Sequence, residues 1–183
     1  MTTMLSSASA MFSWIIVEKI RDGKPSLVGA STGLVAGLVA ITPGAAFVSI
    51  GSSFLIGLLV SPICYFSISV LKHKMKYDDA LDAFGCHGVG GVFGGLATAL
   101  FTTPSLTSEP GNFGLLYGST HLFSATIFAI IFTAIWTGLA TFVIIKVIGV
   151  FMPLRVSDRE EALGMDDSEH KETAYPTFMG LDS

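Results

Sequence analysis

The sequence predicts an all-α integral membrane protein with five transmembrane helices. Three observations carry that expectation. The 183 residues are 51% hydrophobic and only 13% charged, about half the charged fraction of an average soluble domain. Two long stretches, Pro25–Leu71 and Ala83–Ser108, carry no charge at all, and each is long enough for at least one helical crossing of a bilayer. The 10 Lys and Arg residues all fall on one side of a five-span arrangement, as the positive-inside rule requires.

Span one is expected at about Thr2–Val17, closed by the charged loop Glu18–Lys24, with Trp14 as an interfacial anchor. Span two, about Ser26–Ile41, carries Gly29, Gly33 and Gly37 at four-residue spacing. Such a small-residue face packs tightly against another membrane helix. Thr42-Pro43-Gly44 breaks the chain. Span three, about Val48–Leu71, contains Pro62, which removes one backbone hydrogen bond and is expected to kink the helix. Span four is Asp78–Phe101, and a loop rich in Gly, Pro, Ser and Thr follows over Thr102–Thr120. Span five, about Leu122–Val150, is long enough to tilt. Its Phe123, Phe128, Phe132 and Trp136 suit lipid contact or packing. The tail Arg155–Ser183 is polar and acidic, and is expected to be solvated and partly disordered. Residues 1–154 thus form a transmembrane region and residues 155–183 a cytoplasmic tail.

Charge placement sets the orientation. Lys19, Arg21 and Lys24 lie in the first loop, and Lys72, Lys74 and Lys76 in the third. Lys146, Arg155, Arg159 and Lys171 lie at or beyond the end of span five. The C-terminus is therefore expected in the cytoplasm and the N-terminus outside, with Gly44 and Gly111 also outside. The net charge of −4 says little by itself, because the signs are unevenly placed; no nucleic-acid partner is expected. Cys64 and Cys86 both lie in apolar spans, and no C-x-x-C or His/Cys cluster exists. Neither a disulfide framework, a metal nor a cofactor is expected. Met1–Val17 lacks a basic leading region and does not resemble a signal peptide.

Span four concentrates the chemistry. It opens with Asp78, Asp79 and Asp82. Asp78 or Asp79 can cap the helix, where acidic groups suit the positive end of its dipole. Asp82, about one turn deeper, needs a partner or water. His87 is the ionisable side chain inside the span, among Gly85, Gly88, Gly90, Gly91, Gly94 and Gly95. Gly90/Gly94 and Gly91/Gly95 both have the small-xxx-small spacing, so the helix is expected to be buried among others. An intramembrane histidine is a functional-site candidate; the alternative is a packing histidine bonded to a neighbouring carbonyl. With the helix running from Ala80, His87 lies about 10–12 Å below its end. Ala83, Phe84, Gly90 and Gly91 share its face, leaving room for a narrow passage.

The pattern D-D-x-x-D-x-F-G-x-H-G-x-G-G over Asp78–Gly91 resembles the signature near the tenth membrane helix of the ammonium transporter (Amt) family. G-K-P-S-L-x-G-A at Gly23–Ala30, G-L-V-A-I-T-P at Gly37–Pro43 and G-M-D-x-S-E-H at Gly164–His170 are similar to further family elements, in family order from Met1 to Tyr175. The resemblance implies an inverted-repeat transporter fold of about eleven helices, of which this chain corresponds to the last five plus the tail. The chain is then expected to be a C-terminal fragment, from a truncated gene model or a split protein. The pore is expected between the two halves.

The resemblance makes His87 the second of the family's paired pore histidines, with Ala83 and Phe84 beside it. The first pore histidine, the aromatic gate and the external ammonium-binding aromatics have no counterparts to assign here; His73 and His121 lie in loops. The implied mechanism is recruitment of ammonium outside, deprotonation, and conduction past the histidines. A neutral imidazole offers one donor and one acceptor, able to hold ammonia or to pass a proton to a second histidine. Family members form homotrimers in the cell membrane, and many bind PII-type signalling proteins at the cytoplasmic face. Ser168 stands in the tail slot where plant-type relatives carry a phosphorylatable threonine. Transport is the first reading; a non-conducting ammonium sensor or regulatory subunit is the second. An enzyme is not expected, since no second catalytic group accompanies His87 within a span.

Overall fold

The structure, a computed structural model, describes residues 1–108 and 111–172. Glu109 and the tail beyond Glu172, with the end of the Met1–Tyr175 resemblance, lie outside the described residues. Regular structure among the described residues is helical, apart from a single bridge between Val48 and Thr102. Helix α1 spans Thr2–Arg21, α2 Leu27–Ile41 and α3 Ile50–Phe66. A π-helical turn, Ser67–Leu71, joins α3 to the short α4, Lys72–Met75. A second π-turn, Phe84–Gly88, leads into α5, Val89–Phe101. Helix α6 is His121–Phe151 and α7 is Asp158–Leu163. Ile50–Met75, Phe84–Phe101 and His121–Phe151 are long and apolar enough to cross a membrane; α2 is apolar but shorter. The chain forms two compact units, Met1–Thr133 and Ala134–Ser183.

In the first unit α1 packs against both α2 and α3. The glycine face of α2 receives it: Gly29 lies against Glu18, Gly33 against Trp14 and Gly37 against Ala10. A Cβ at Gly33 would come within 2.5 Å of Trp14 Cβ, and one at Gly37 within 2.6 Å of Ala10 Cβ. The backbones approach because the glycines have no side chain, which is how helices associate where lipid and helix are equally apolar. Gly57 of α3 sits against the Ser6 backbone. Serine hydroxyls tie the three helices together. Ser6 Oγ donates to the Gly37 carbonyl at 3.0 Å, Ser9 Oγ to Phe54 at 3.1 Å and Ser13 Oγ to Leu58 at 2.8 Å. From α3, Ser61 Oγ donates back to the Ala10 carbonyl at 2.6 Å.

This packing corrects one expectation. Trp14 is not an interfacial anchor: it is only 4% exposed and meets the Tyr65 ring edge-on at 5.5 Å. Gly33 vacates the volume that the indole fills. Pro62 sits inside α3 without ending it, and the helical path runs on to Met75.

Helix α5 uses one of its two glycine pairs for close packing on α2 and α3. Gly94 lies against the Ala40 backbone, and Gly90 against Cys64 and Val39. A Cβ at Gly91 would meet nothing within 4 Å, and one at Gly95 would make ordinary contact with Ile130 and Thr126. No residue of α6 is buried, and Phe128 and Phe132 stack at 6.4 Å between ring centres.

In the second unit the described part of the tail, residues 155–172, carries local structure that its composition does not predict. Ser157 caps α7, and Glu160 bonds back to the Ser157 N–H in a capping box. Arg155 pairs with Glu161 at 2.9 Å. A π-turn over Asp166–His170 follows, with Ser168 Oγ donating to the Gly164 carbonyl at 2.9 Å. These local bonds supply order that polarity alone does not forecast.

Candidate functional site

The helix bearing His87 starts later than the apolar pattern suggests. Asp82 takes a left-handed backbone, φ 55°, and a right-handed helix cannot run through such a residue. The expected start at Ala80 is therefore corrected to Ala83. His87 lies about 6 Å along the axis from that start, not 10–12 Å.

Two aspartates hold the start. The Asp79 carboxylate accepts the N–H groups of Ala83 at 2.8 Å and Phe84 at 2.9 Å, satisfying donors that the first turn leaves open. Asp82 is paired with Lys72, Nζ to Oδ1 2.7 Å. Asp78 is exposed. From here the chain enters its π-turn, closed by the Val89 N–H on the Phe84 carbonyl. Gly85 and Gly88 make the turn feasible, because a Cβ at the first would press on Ile68 and one at the second on the Phe84 ring.

His87 is exposed and lines a groove of about 560 Å³. Leu81, Ala83 and Cys86 line it on the same side, and α2 supplies Leu27, Val28, Ser31, Thr32 and Val35. The hydroxyls of Ser31 and Thr32 donate to carbonyls of their own helix, Leu27 and Val28, at 2.9 Å each. The groove wall is thus apolar in effect, and His87 is its basic side chain. The imidazole makes no hydrogen bond among the described residues. Phe84 does not share the groove. It is 56% exposed, and its ring meets Tyr77 edge-on at 5.7 Å. The wider π-turn separates residues that a regular α-helix would stack.

A smaller cavity, about 390 Å³, shares Val28 and Thr32 with the groove but is polar. Its carboxylates are each engaged. Glu18 accepts the Ser26 N–H at 2.8 Å, Asp22 the Tyr65 hydroxyl at 2.7 Å, and Asp82 the Lys72 ammonium. No cluster of three or more candidate metal ligands exists among the described residues.

Comparison with known proteins gives this geometry a family. The sequence model of the Ammonium Transporter Family matches residues 1–175. The chain belongs to the ammonium transporter family. It is 46% identical to an ammonium transporter of Bacillus subtilis over 97% of this chain and 44% of that protein. An ammonium transporter of Aquifex aeolicus is 42% identical over 94% of this chain and 40% of its own length. Among solved structures, Candida albicans Mep2 superposes with a TM-score of 0.79 at 29% identity, covering 87% of this chain and 36% of that one. The chain spans less than half the length of the relatives it matches.

Within this family member, sequence reasoning missed the α2 wall of the groove, above all Thr32 and Val35. A signal was present. If Gly29, Gly33 and Gly37 face α1, residues two positions on must face elsewhere, and Ser31 and Val35 occupy such positions.

Proposed function

We propose that this chain forms one wall of a path for ammonium and ammonia across the cell membrane, as the C-terminal part of an ammonium transporter. The observation that carries the reading is His87: an exposed imidazole on an apolar groove, with no hydrogen bond among the described residues that assigns it to packing. A packing histidine would be buried against a carbonyl acceptor. In the proposed mechanism ammonium gives up its proton on the outer side and ammonia passes along the groove, while the proton is relayed through the His87 imidazole, which accepts it on one ring nitrogen and releases one from the other, to rejoin ammonia on the cytoplasmic side. Ala83 keeps the approach to His87 narrow but open. The opposite wall comes from helices that this chain does not contain, as the greater length of its relatives supports.

The test is His87→Gln in the complete transporter, reconstituted in liposomes and given an ammonium jump. Gln keeps hydrogen-bonding reach but does not titrate near neutral pH. Assembly is expected to persist and ammonium-coupled current to vanish; normal current in the Gln variant would overturn the proposal. The 183-residue chain alone is expected not to conduct.

The same reading places five spans in the bilayer with the N-terminus outside and the tail, residues 155–183, in the cytoplasm. The one-sided placement of Lys and Arg supports it. By family resemblance the transporter is a homotrimer, its cytoplasmic face suits a PII-type protein, and Ser168 is a regulatory position. Cross-linking of the complete protein is expected to give trimers.

A further inference from the structure

We infer that Lys72 is a positioning residue for His87, acting through its ion pair with Asp82. The two π-turns of the first unit are in contact: Ile68, in the turn Ser67–Leu71, lies against Gly85, in the turn Phe84–Gly88. Lys72 ends the first of these turns, its N–H bonded to the Ser67 carbonyl. Asp82 stands immediately before the second helix, and its carbonyl accepts the Cys86 N–H at 2.9 Å. The Lys72–Asp82 pair therefore joins the end of one π-turn to the entrance of the other.

That entrance is not one the chain favours by itself. Asp82 has φ 55°, an uncommon region for a residue with a side chain, which persists where surrounding contacts over-determine it. The Asp79 cap fixes Ala83 and Phe84 from one side, and the Lys72 ammonium fixes the Asp82 carboxylate from the other. Without the second contact, the left-handed turn can relax and the π-turn can convert to regular helix. Loss of the extra π residue shifts the helical register by one, a rotation of about 100°, and carries His87 off the groove face. Lys72 lines the polar cavity and not the His87 groove, so its effect on His87 runs through Asp82. The functional consequence rests on the transport reading; the geometric one does not.

The experiment places His87→Cys in the complete transporter with Cys64 and Cys86 replaced by Ala, and measures its rate of labelling by methyl methanethiosulfonate. Lys72→Met is expected to slow labelling about tenfold or more, as for a face exposed only in a minor state. Lys72→Arg is expected to keep the rate. The exchange Lys72→Asp with Asp82→Lys is expected to restore it. An unchanged rate in Lys72→Met, or an exchange as slow as the single variant, would overturn the proposal. Should Lys72→Met fail to assemble, Asp82→Asn tests the same contact with the same two outcomes. In the His87 protein, ammonium uptake is expected to fall with Lys72→Met and recover with Lys72→Arg. Labelling that responds to Lys72 in a protein with no ammonium transport would overturn the transport reading and uphold the positioning role.

Discussion

Gly91 and Gly94 are three residues apart on the same helix, yet they face opposite demands. A Cβ at Gly94 would press on the Ala40 backbone, which cannot swing aside as a side chain can. Gly94→Ala is expected to cost about 1–3 kcal/mol, the usual range for overpacking. Gly91 faces open space within this chain, so Gly91→Ala is expected to stay within about 0.5 kcal/mol. Thermal unfolding of the two variants in detergent checks the contrast; equal losses would show that the glycines are interchangeable. Ser61 poses a related question. Its hydroxyl is buried and donates to the Ala10 carbonyl. Ser61→Ala is expected to cost about 0.6 kcal/mol, near the mean for such bonds between membrane helices.

At the scale of the elements, α7 has a readable pH dependence. The Ser157 hydroxyl, and after it the Ser157 N–H, hold the Glu160 carboxyl below its ordinary value of 4.5. A depressed carboxyl pKa adds stability that is fully present above the ordinary value. It is lost as pH falls through the lower folded value. The protection of the Asp158–Leu163 amides, taken relative to intrinsic exchange at each pH, is expected to fall in that acid window and to be unchanged between pH 6 and pH 8. Ser157→Ala removes the cap and is expected to quicken the same amides at neutral pH. Helix α1 shows a different principle. It is the least apolar of the long helices, yet its serines bond to carbonyls of α2 and α3. Polarity that looks unfavourable for a membrane helix is here spent on its neighbours.

At the scale of the molecule, orientation in the bilayer is the property to test. The proposed topology puts Met75 in the cytoplasm and Leu116 outside. Both are 65% exposed, and neither has a left-handed backbone, so a cysteine is expected to be tolerated at each. The native Cys64 and Cys86 are buried and give little background. An impermeant maleimide applied to intact cells is expected to label Leu116→Cys and to leave Met75→Cys unlabelled. The reverse pattern would invert the topology and place the polar cavity around Lys72 outside.

The sequence by itself determined where the long helices lie. The pattern predicts Ser26–Ile41 and the helix is Leu27–Ile41 with Ser26 as its cap; it predicts about Leu122–Val150 and the helix is His121–Phe151. The reason is that a bilayer leaves backbone groups no partner except within the helix, so apolar length and capping residues decide the element. The family was legible too, since the motif around His87 is contiguous in the chain. The tertiary structure alone decided what depends on residues far apart. Trp14 is buried because Gly33 stands opposite it, and Gly94 packs while Gly91 does not because α2 lies on only one side of α5. The helix bearing His87 starts at Ala83, where the Asp79 cap holds the first turn and Lys72, ten residues before Asp82, pairs with it. Periodicity cannot foresee such a start, because nothing in the local spacing distinguishes an aspartate that continues a helix from one held in a left-handed turn by a distant lysine.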